Sequence, residues 1–197
     1  MKVMSIKAQE LERLAEQIKT CTLCPLCQSR TNAVPGDGKS NAKVMIIGEA
    51  PGRDEDKTGH PFVGSSGRYL DHVLKGTGIE RSDLFITNIV KCRPPQNRTP
   101  ASGEIEICTA TYLFKQIELL KPKIIMLLGG VAARKILGVK GIKDARGQVI
   151  ERDGRKYIVG YHPAIRFYRE DLAETLKEDF SLLKKELRKL AAARRHA

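Results

Sequence analysis

Five cysteines offer the first chemistry in this chain: Cys21, Cys24 and Cys27, at three-residue intervals in "CTLCPLC", and then Cys92 and Cys108. The N-terminus, "MKVMSIKAQELERL", turns polar too soon for a secretion signal, so an odd number of thiols argues against a disulfide framework and for metal ligation or buried thiols. Thiolates in a set of four suit either zinc or an iron–sulfur cluster, and spacing alone does not choose between them. Cys21 with Cys24, or Cys24 with Cys27, would form a C-x2-C pair. A second group of candidates sits at the ends of apolar runs: "GEAPG" (48–52), "TNIVKCRPP" (87–95) and "YHPA" (161–164). These supply a carboxylate (Glu49), an amide (Asn88) and an imidazole (His162), groups that can accept, donate and stabilise charge if the fold gathers them.

The surrounding pattern predicts elements that would do so. "SIKAQELERLAEQIK" places Ile6, Leu11, Leu14 and Ile18 on one helical stripe, with Ser5 as N-cap. "KVMIIGEAPG" reads as a buried parallel strand that delivers a loop at its carboxyl end, the natural place for a ligand in such sheets. "SSGRYLDHVLKGTG" reads as a helix closed by glycine, "LFITNIV" as a second buried strand, and "ASGEIEICTATYLFKQIELLK" as one long helix. "KIIMLLG" is a third strand and "GVAARKILG" a short helix. "GQVIERDGRKYIVGYHP" is a hairpin turned at Asp153-Gly154 whose second half is the last strand, and 169–190 form a final amphipathic helix. Strands alternating with helices imply an α/β fold: a three-layer α/β/α sandwich around a mostly parallel central sheet. The 197 residues suit a single domain, with segment 1–40 packed on the core and a frayed tail over 191–197.

Lysine and arginine outnumber aspartate and glutamate by 35 to 23, a formal charge of +12, which suggests a polyanionic partner such as nucleic acid. No apolar run of about eighteen residues is present, so an intracellular, cytoplasmic protein without membrane contact is expected.

"GEAPG" followed by "EDKTGHPFVGSSG", then "TNIVKCRPPQNR" and "HPA", with cysteines ahead of the first strand and at 92 and 108, resembles the family-4 uracil-DNA glycosylases, the iron–sulfur branch found largely in thermophiles. The resemblance spans roughly residues 10–185. It implies a monomeric DNA repair enzyme that removes uracil arising from cytosine deamination and leaves an abasic site. It also implies a 4Fe–4S cluster on Cys21, Cys24, Cys92 and Cys108, with zinc as the alternative metal and Cys27 left over. The cluster's role would be structural, since hydrolysing an N-glycosidic bond transfers no electrons.

The resemblance also assigns roles in the site. A base inside a duplex must be flipped into a pocket before its edge can be read. Phe62 would stack on the flipped uracil, Asn88 would read its edge, and His162 would stabilise the departing anion near O2. Gly48, Glu49 and Ala50 would line the base site. Where family-1 glycosylases carry an aspartate this chain has Ala50, so Glu49 is the first candidate for positioning water, with Glu55 and Asp54 behind it. Glu55 would alternatively shape the pocket against thymine's methyl group. Contacts with single- or double-stranded uracil-containing DNA are expected from Lys91, Arg93, Arg98, Arg166 and Arg169, with Ile165 and Phe167 as apolar residues to fill the vacated stack.

Two competing readings follow from the same residues. The covalent uracil-binding variant of this family carries a reactive histidine in a basic loop, and "PPQNRTPASGEIE" contains none. A noncatalytic iron–sulfur or zinc nucleic-acid-binding protein would use the charge and the cysteines, but it would not need Asn88, His162 and Phe62 to converge.

Overall fold

A computed structural model describes residues 5–193. Its helices are α1 (Ile6–Lys19), α2 (Arg53–Thr58), α3 (Ser65–Thr77), α4 (Ser102–Cys108), α5 (Phe114–Leu120), α6 (Gly130–Leu137) and α7 (Ala173–Ala193). Its strands are β1 (Asp37–Gly38), β2 (Val44–Gly48), β3 (Leu84–Asn88), β4 (Ile124–Leu128), β5 (Val149–Arg152) and β6 (Arg155–Gly160), in the spatial order β1-β3-β2-β4-β6-β5. The central four strands are parallel, and the short edge strands β1 and β5 run antiparallel to their neighbours.

Because side chains alternate across a strand, β2, β4 and β6 feed two cores at once. Met45, Ile47, Ile125, Leu127 and Val159 face α1, α5 and α6, where Ile18, Leu113, Ile117 and Ala133 meet them. Val44, Ile46, Met126, Leu128 and Ile158 face α3 and α7, packing with Leu70, Leu74, Phe180 and Leu183. The result is an α/β/α sandwich whose parallel strands are buried on both faces, which is why their sequences are continuous apolar runs rather than alternating ones.

Several local expectations are corrected. Ser5 does cap α1, its Oγ accepting from the Ala8 backbone N–H at 3.2 Å, but Ile6 lies outside the buried stripe and is 80% exposed. The long helix is α4 and α5 joined through a π-helical turn at Thr109–Leu113, within which the Thr109 hydroxyl bonds back to the Ile105 carbonyl at 2.7 Å. Such a turn shifts the phase of the helix behind Cys108. The final helix begins at Ala173, after 3-10 turns at Pro163–Phe167 and Glu170–Leu172, and it extends through Ala193 into the segment expected to fray. Residues 194–197 of that tail lie outside the described residues. β1 and α2, of two and six residues, are too short to carry a period that the sequence could show. Among the described residues, no helix is long and apolar enough to cross a membrane.

Candidate active site

The carboxyl ends of β2, β3 and β6 deliver Gly48, Asn88 and the segment running into His162, as parallel-sheet geometry requires. Between them opens a cavity of about 350 Å³, within the range of small-ligand sites, walled by Glu49, Ala50, Glu55, Phe62, Asn88 and His162 among others.

Phe62 is held in an unusual backbone state, with φ of 52°, yet it is only 5% exposed. Its turn is stabilised by Glu55, whose Oε1 accepts from the Val63 and Gly64 backbone N–H groups at 2.9 and 2.8 Å, while Oε2 accepts from the Gly52 N–H at 3.0 Å. Left-handed backbone on a bulky residue costs on the order of 1 to 3 kcal/mol and persists where surrounding bonds enforce it. With three donors already bound, Glu55 shapes the ring's position and is poorly placed to handle a water. Gly48 makes room for both partners, since a Cβ there would sit 2.4 Å from Asn88 Oδ1 and 2.6 Å from Phe62 Cζ.

Asn88 is 1% exposed, and among the described residues its Oδ1 has no hydrogen-bond partner. A buried carbonyl oxygen left unpaired costs on the order of 1 to 3 kcal/mol, so the wall of the site holds an unsatisfied acceptor. His162 packs its ring against Phe62, with centroids 5.7 Å apart. Its Nδ1 accepts from the Ala164 backbone N–H at 3.2 Å. A backbone N–H can only donate, so Nδ1 carries the lone pair and the neutral ring bears its proton on Nε2. Burial lowers the His162 pKa to about 4, which keeps the ring neutral at ordinary pH. The strand end behind it is tied down by Asp179, which pairs with Arg146 at 2.8 Å and accepts from the Tyr161 N–H at 3.2 Å.

Glu49 also faces the cavity. Burial raises its pKa, while the nearby Arg134 charge and a hydrogen bond from Thr99 pull it back down. It is the carboxylate on this wall not consumed by backbone donors.

The expected DNA contacts divide. Arg98 lines the cavity, its guanidinium fixed on Glu104 by two bonds of 2.9 and 2.7 Å, and Arg93 donates to Asn97 at 2.7 Å just outside. Phe167 is at the rim and 55% exposed, whereas Ile165 is partly buried and does not line the cavity. Arg166 lies over the Tyr69 ring, 4.8 Å from its centroid, and Arg169 pairs with Asp171. Lys91 is a correction: it is 1% exposed and faces inward, where its ammonium donates to Thr87, Asn88 and Gln116, so it cannot touch a phosphate. Sequence reasoning missed Asn97, whose φ of 55° belongs to the turn in "PPQNR", and Tyr168, an aromatic at the rim that is 81% exposed.

All five cysteines line a second, apolar cavity with Ile18, Arg30, Lys91, Ile107 and Tyr112. The 3-10 turn Pro25–Gln28 brings Cys27 to the same cavity as Cys21 and Cys24. Arg30 donates to Cys92 Sγ at 3.1 Å and the Lys91 backbone N–H to Cys108 Sγ at 3.3 Å. Burial pushes the free thiols of Cys24 and Cys92 up, and that of Cys108 to about 11. Among the described residues, no three histidine, cysteine, aspartate or glutamate side chains form a group that could hold a single metal ion.

A family model described as the uracil DNA glycosylase superfamily matches residues 35–188, a range that contains both the cavity walls and the second pair of cysteines. The chain belongs to this superfamily. Among the similar proteins, a type-4 uracil-DNA glycosylase of Sulfurisphaera tokodaii is 44% identical, covering 92% of this chain and 84% of the relative. Those of Archaeoglobus fulgidus and Pyrobaculum aerophilum are each 41% identical, covering 87% and 88% of this chain and 90% and 92% of the relatives.

Proposed function

We propose that this chain hydrolyses the N-glycosidic bond of uracil in DNA, leaving an abasic site, with a 4Fe–4S cluster on Cys21, Cys24, Cys92 and Cys108 bracing the fold. The observation that carries the reaction is the pairing of an unsatisfied Asn88 Oδ1 with an Nε2–H on neutral His162 across one cavity floored by Phe62. A flipped uracil stacks on Phe62. Its N3–H donates to Asn88 Oδ1, its O4 accepts from the amide nitrogen, and its O2 accepts from His162. Cytosine presents an acceptor at N3 and a donor at C4, so it would leave the buried oxygen unpaired, and such mismatches give large discrimination.

As the C1′–N1 bond breaks, its electron pair leaves with uracil as an anion spread over N1 and O2, and a positively charged sugar remains. A positioned Nε2–H stabilises that anion without transferring a proton, and a fixed donor of this type contributes about 3 kcal/mol. Water oxygen then bonds C1′ and releases a proton to solvent. Glu49, the free carboxylate on the wall, orients this water and faces the sugar cation.

The donor set supports the cluster. Sulfurs around a shared apolar cavity, two of them accepting N–H bonds, suit a thiolate-bound metal group, and the family resemblance favours iron–sulfur over zinc. The Arg30 guanidinium supplies positive charge beside it, and Lys91 adds a buried amine whose pKa burial lowers to about 7. Such a cluster would tie the N-terminal segment to the turn that carries Arg93 and Arg98.

Purified protein given a labelled oligonucleotide with a single uracil should release the base, seen as strand breakage after alkali, while thymine and cytosine strands stay intact. No release by folded protein carrying iron and sulfide would turn the pocket into a binding site and favour the noncatalytic reading. Iron and sulfide each at about four per chain would support the cluster, and zinc in their place would replace it.

A further inference from the structure

Lysine is almost never fully buried unless it is paired, yet Lys91 is 1% exposed and among the described residues its ammonium meets no carboxylate. Its donors go to Thr87 Oγ1 at 2.6 Å, the Asn88 backbone carbonyl at 2.9 Å and Gln116 Oε1 at 2.7 Å. Three N–H groups meet three neutral acceptors, so nothing on the ammonium is left for solvent or DNA. Two of the acceptors are themselves anchored on one carbonyl: Thr87 Oγ1 donates to Pro35 O at 3.0 Å and Gln116 Nε2 donates to the same oxygen at 2.8 Å. The lysine's own backbone reaches the other way, its N–H donating to Cys108 Sγ and its carbonyl accepting from the Val34 N–H at 2.7 Å. One residue thus touches the rear of the base pocket and the wall of the cysteine cavity.

We propose that Lys91 is a positioning residue for base recognition: its ammonium fixes the Asn88 peptide from behind, so that the unpaired amide oxygen keeps its aim, and its backbone joins that peptide to the cysteine cavity. The inference rests on the uracil reading above. It gives the lysine of "KCRPP" a use other than the DNA contact that its charge and neighbours suggest. It also provides a physical connection between two cavities that lie on either side of one strand end.

The test replaces Lys91 by methionine, which keeps the length and apolar stem and removes every donor. Four quantities are measured on the wild type and on Lys91→Met: iron content with visible absorbance, affinity for DNA carrying an abasic site, inhibition by free uracil, and single-turnover release of uracil. The positioning role predicts unchanged iron and unchanged affinity for abasic DNA, with inhibition by uracil and the single-turnover rate weakened together by about tenfold, the loss of one buried bond to a charged group. Lys91→Gln, which restores a donor, should recover part of both. Release at the wild-type rate, or losses that track missing iron, would overturn the proposal. So would failure of both variants to fold, which would make Lys91 a stability element. A wild-type protein that released no uracil would instead sink the glycosylase reading.

Discussion

The base pocket and the cysteine cavity meet at the same strand end yet solve opposite problems. The pocket keeps a neutral imidazole and a buried, unpaired amide oxygen in its wall, the polar groups that a ligand with the complementary pattern would satisfy. The cysteine cavity is apolar, gives Cys92 and Cys108 one N–H donor each, and leaves the Cys24, Cys92 and Cys108 thiols hard to ionise unless something binds them. On the proposed reading, one region takes a ligand that comes and goes and the other a group that stays. The difference separates changes that should strike the reaction from changes that should strike the fold.

The largest effect on the reaction is expected from His162→Ala. Removing the donor aimed at O2 should lower the single-turnover rate by about a hundred- to a thousandfold, with little change in melting temperature beyond the loss of ring packing. The same histidine sets a pH limit. The wild-type rate should be insensitive to its titration from neutral pH down to about 5 and fall as pH drops through about 4, where the ring charges. Its folded pKa lies below the ordinary imidazole value of 6.5, so the unfolded chain binds the proton first and stability should decline between about 6.5 and 4 as pH falls. A rate that instead rose with acid would assign His162 to proton donation and break the neutral-imidazole account.

Asn88→Ala comes next. It removes both edge contacts and the unpaired oxygen, so uracil release should fall by about ten- to a hundredfold. The ratio of uracil to cytosine release should shrink with it, because the penalty against cytosine disappears too. Loss of rate with selectivity intact would move edge reading to another residue.

Changes at the cysteine cavity should invert this ranking. Cys108→Ala should lose iron and lower the melting temperature by on the order of 10 °C, since a cross-link between the N-terminal segment and the core is worth several kcal/mol in a domain of this size. Cys27→Ala should keep both, although Cys27 lines the same cavity. An iron-free Cys27→Ala protein would exchange the ligand assignment, making Cys24 and Cys27 the pair and freeing Cys21.

How far the sequence could be read follows from the same contrast. The parallel strands were legible because burial on both faces produces uninterrupted apolar runs, and the pocket residues were legible because they end those runs. Lys91 was misread because charge next to "CRPP" suggests a surface, while the residues that draw it inward, Thr87 and Gln116, lie four and twenty-five positions away. The π-helical turn behind Cys108 has no periodic signature in "CTATYLF", and the short helix bearing Glu55 is too brief to show one. Glu55's three backbone bonds, which separate it from Glu49 as a shaping residue, depend on a turn that only the folded chain forms.

The smallest effect tests how the sugar cation is met. Glu49→Gln preserves shape and hydrogen bonding and removes only the charge, so a carboxylate that orients water and faces the cation through space should cost less than about tenfold in single-turnover rate when neutralised, given the solvent open to this wall. Because burial already raises the Glu49 pKa, the wild-type rate should also decline toward acid somewhat above the usual carboxylate range, and Glu49→Gln should abolish that limb while keeping the one belonging to His162. Two separable limbs would divide the work between a carboxylate on the sugar side and an imidazole on the base side. A Glu49→Gln protein with an unchanged rate and an unchanged pH profile would remove Glu49 from the reaction, leaving stabilisation of the departing anion as the main source of rate.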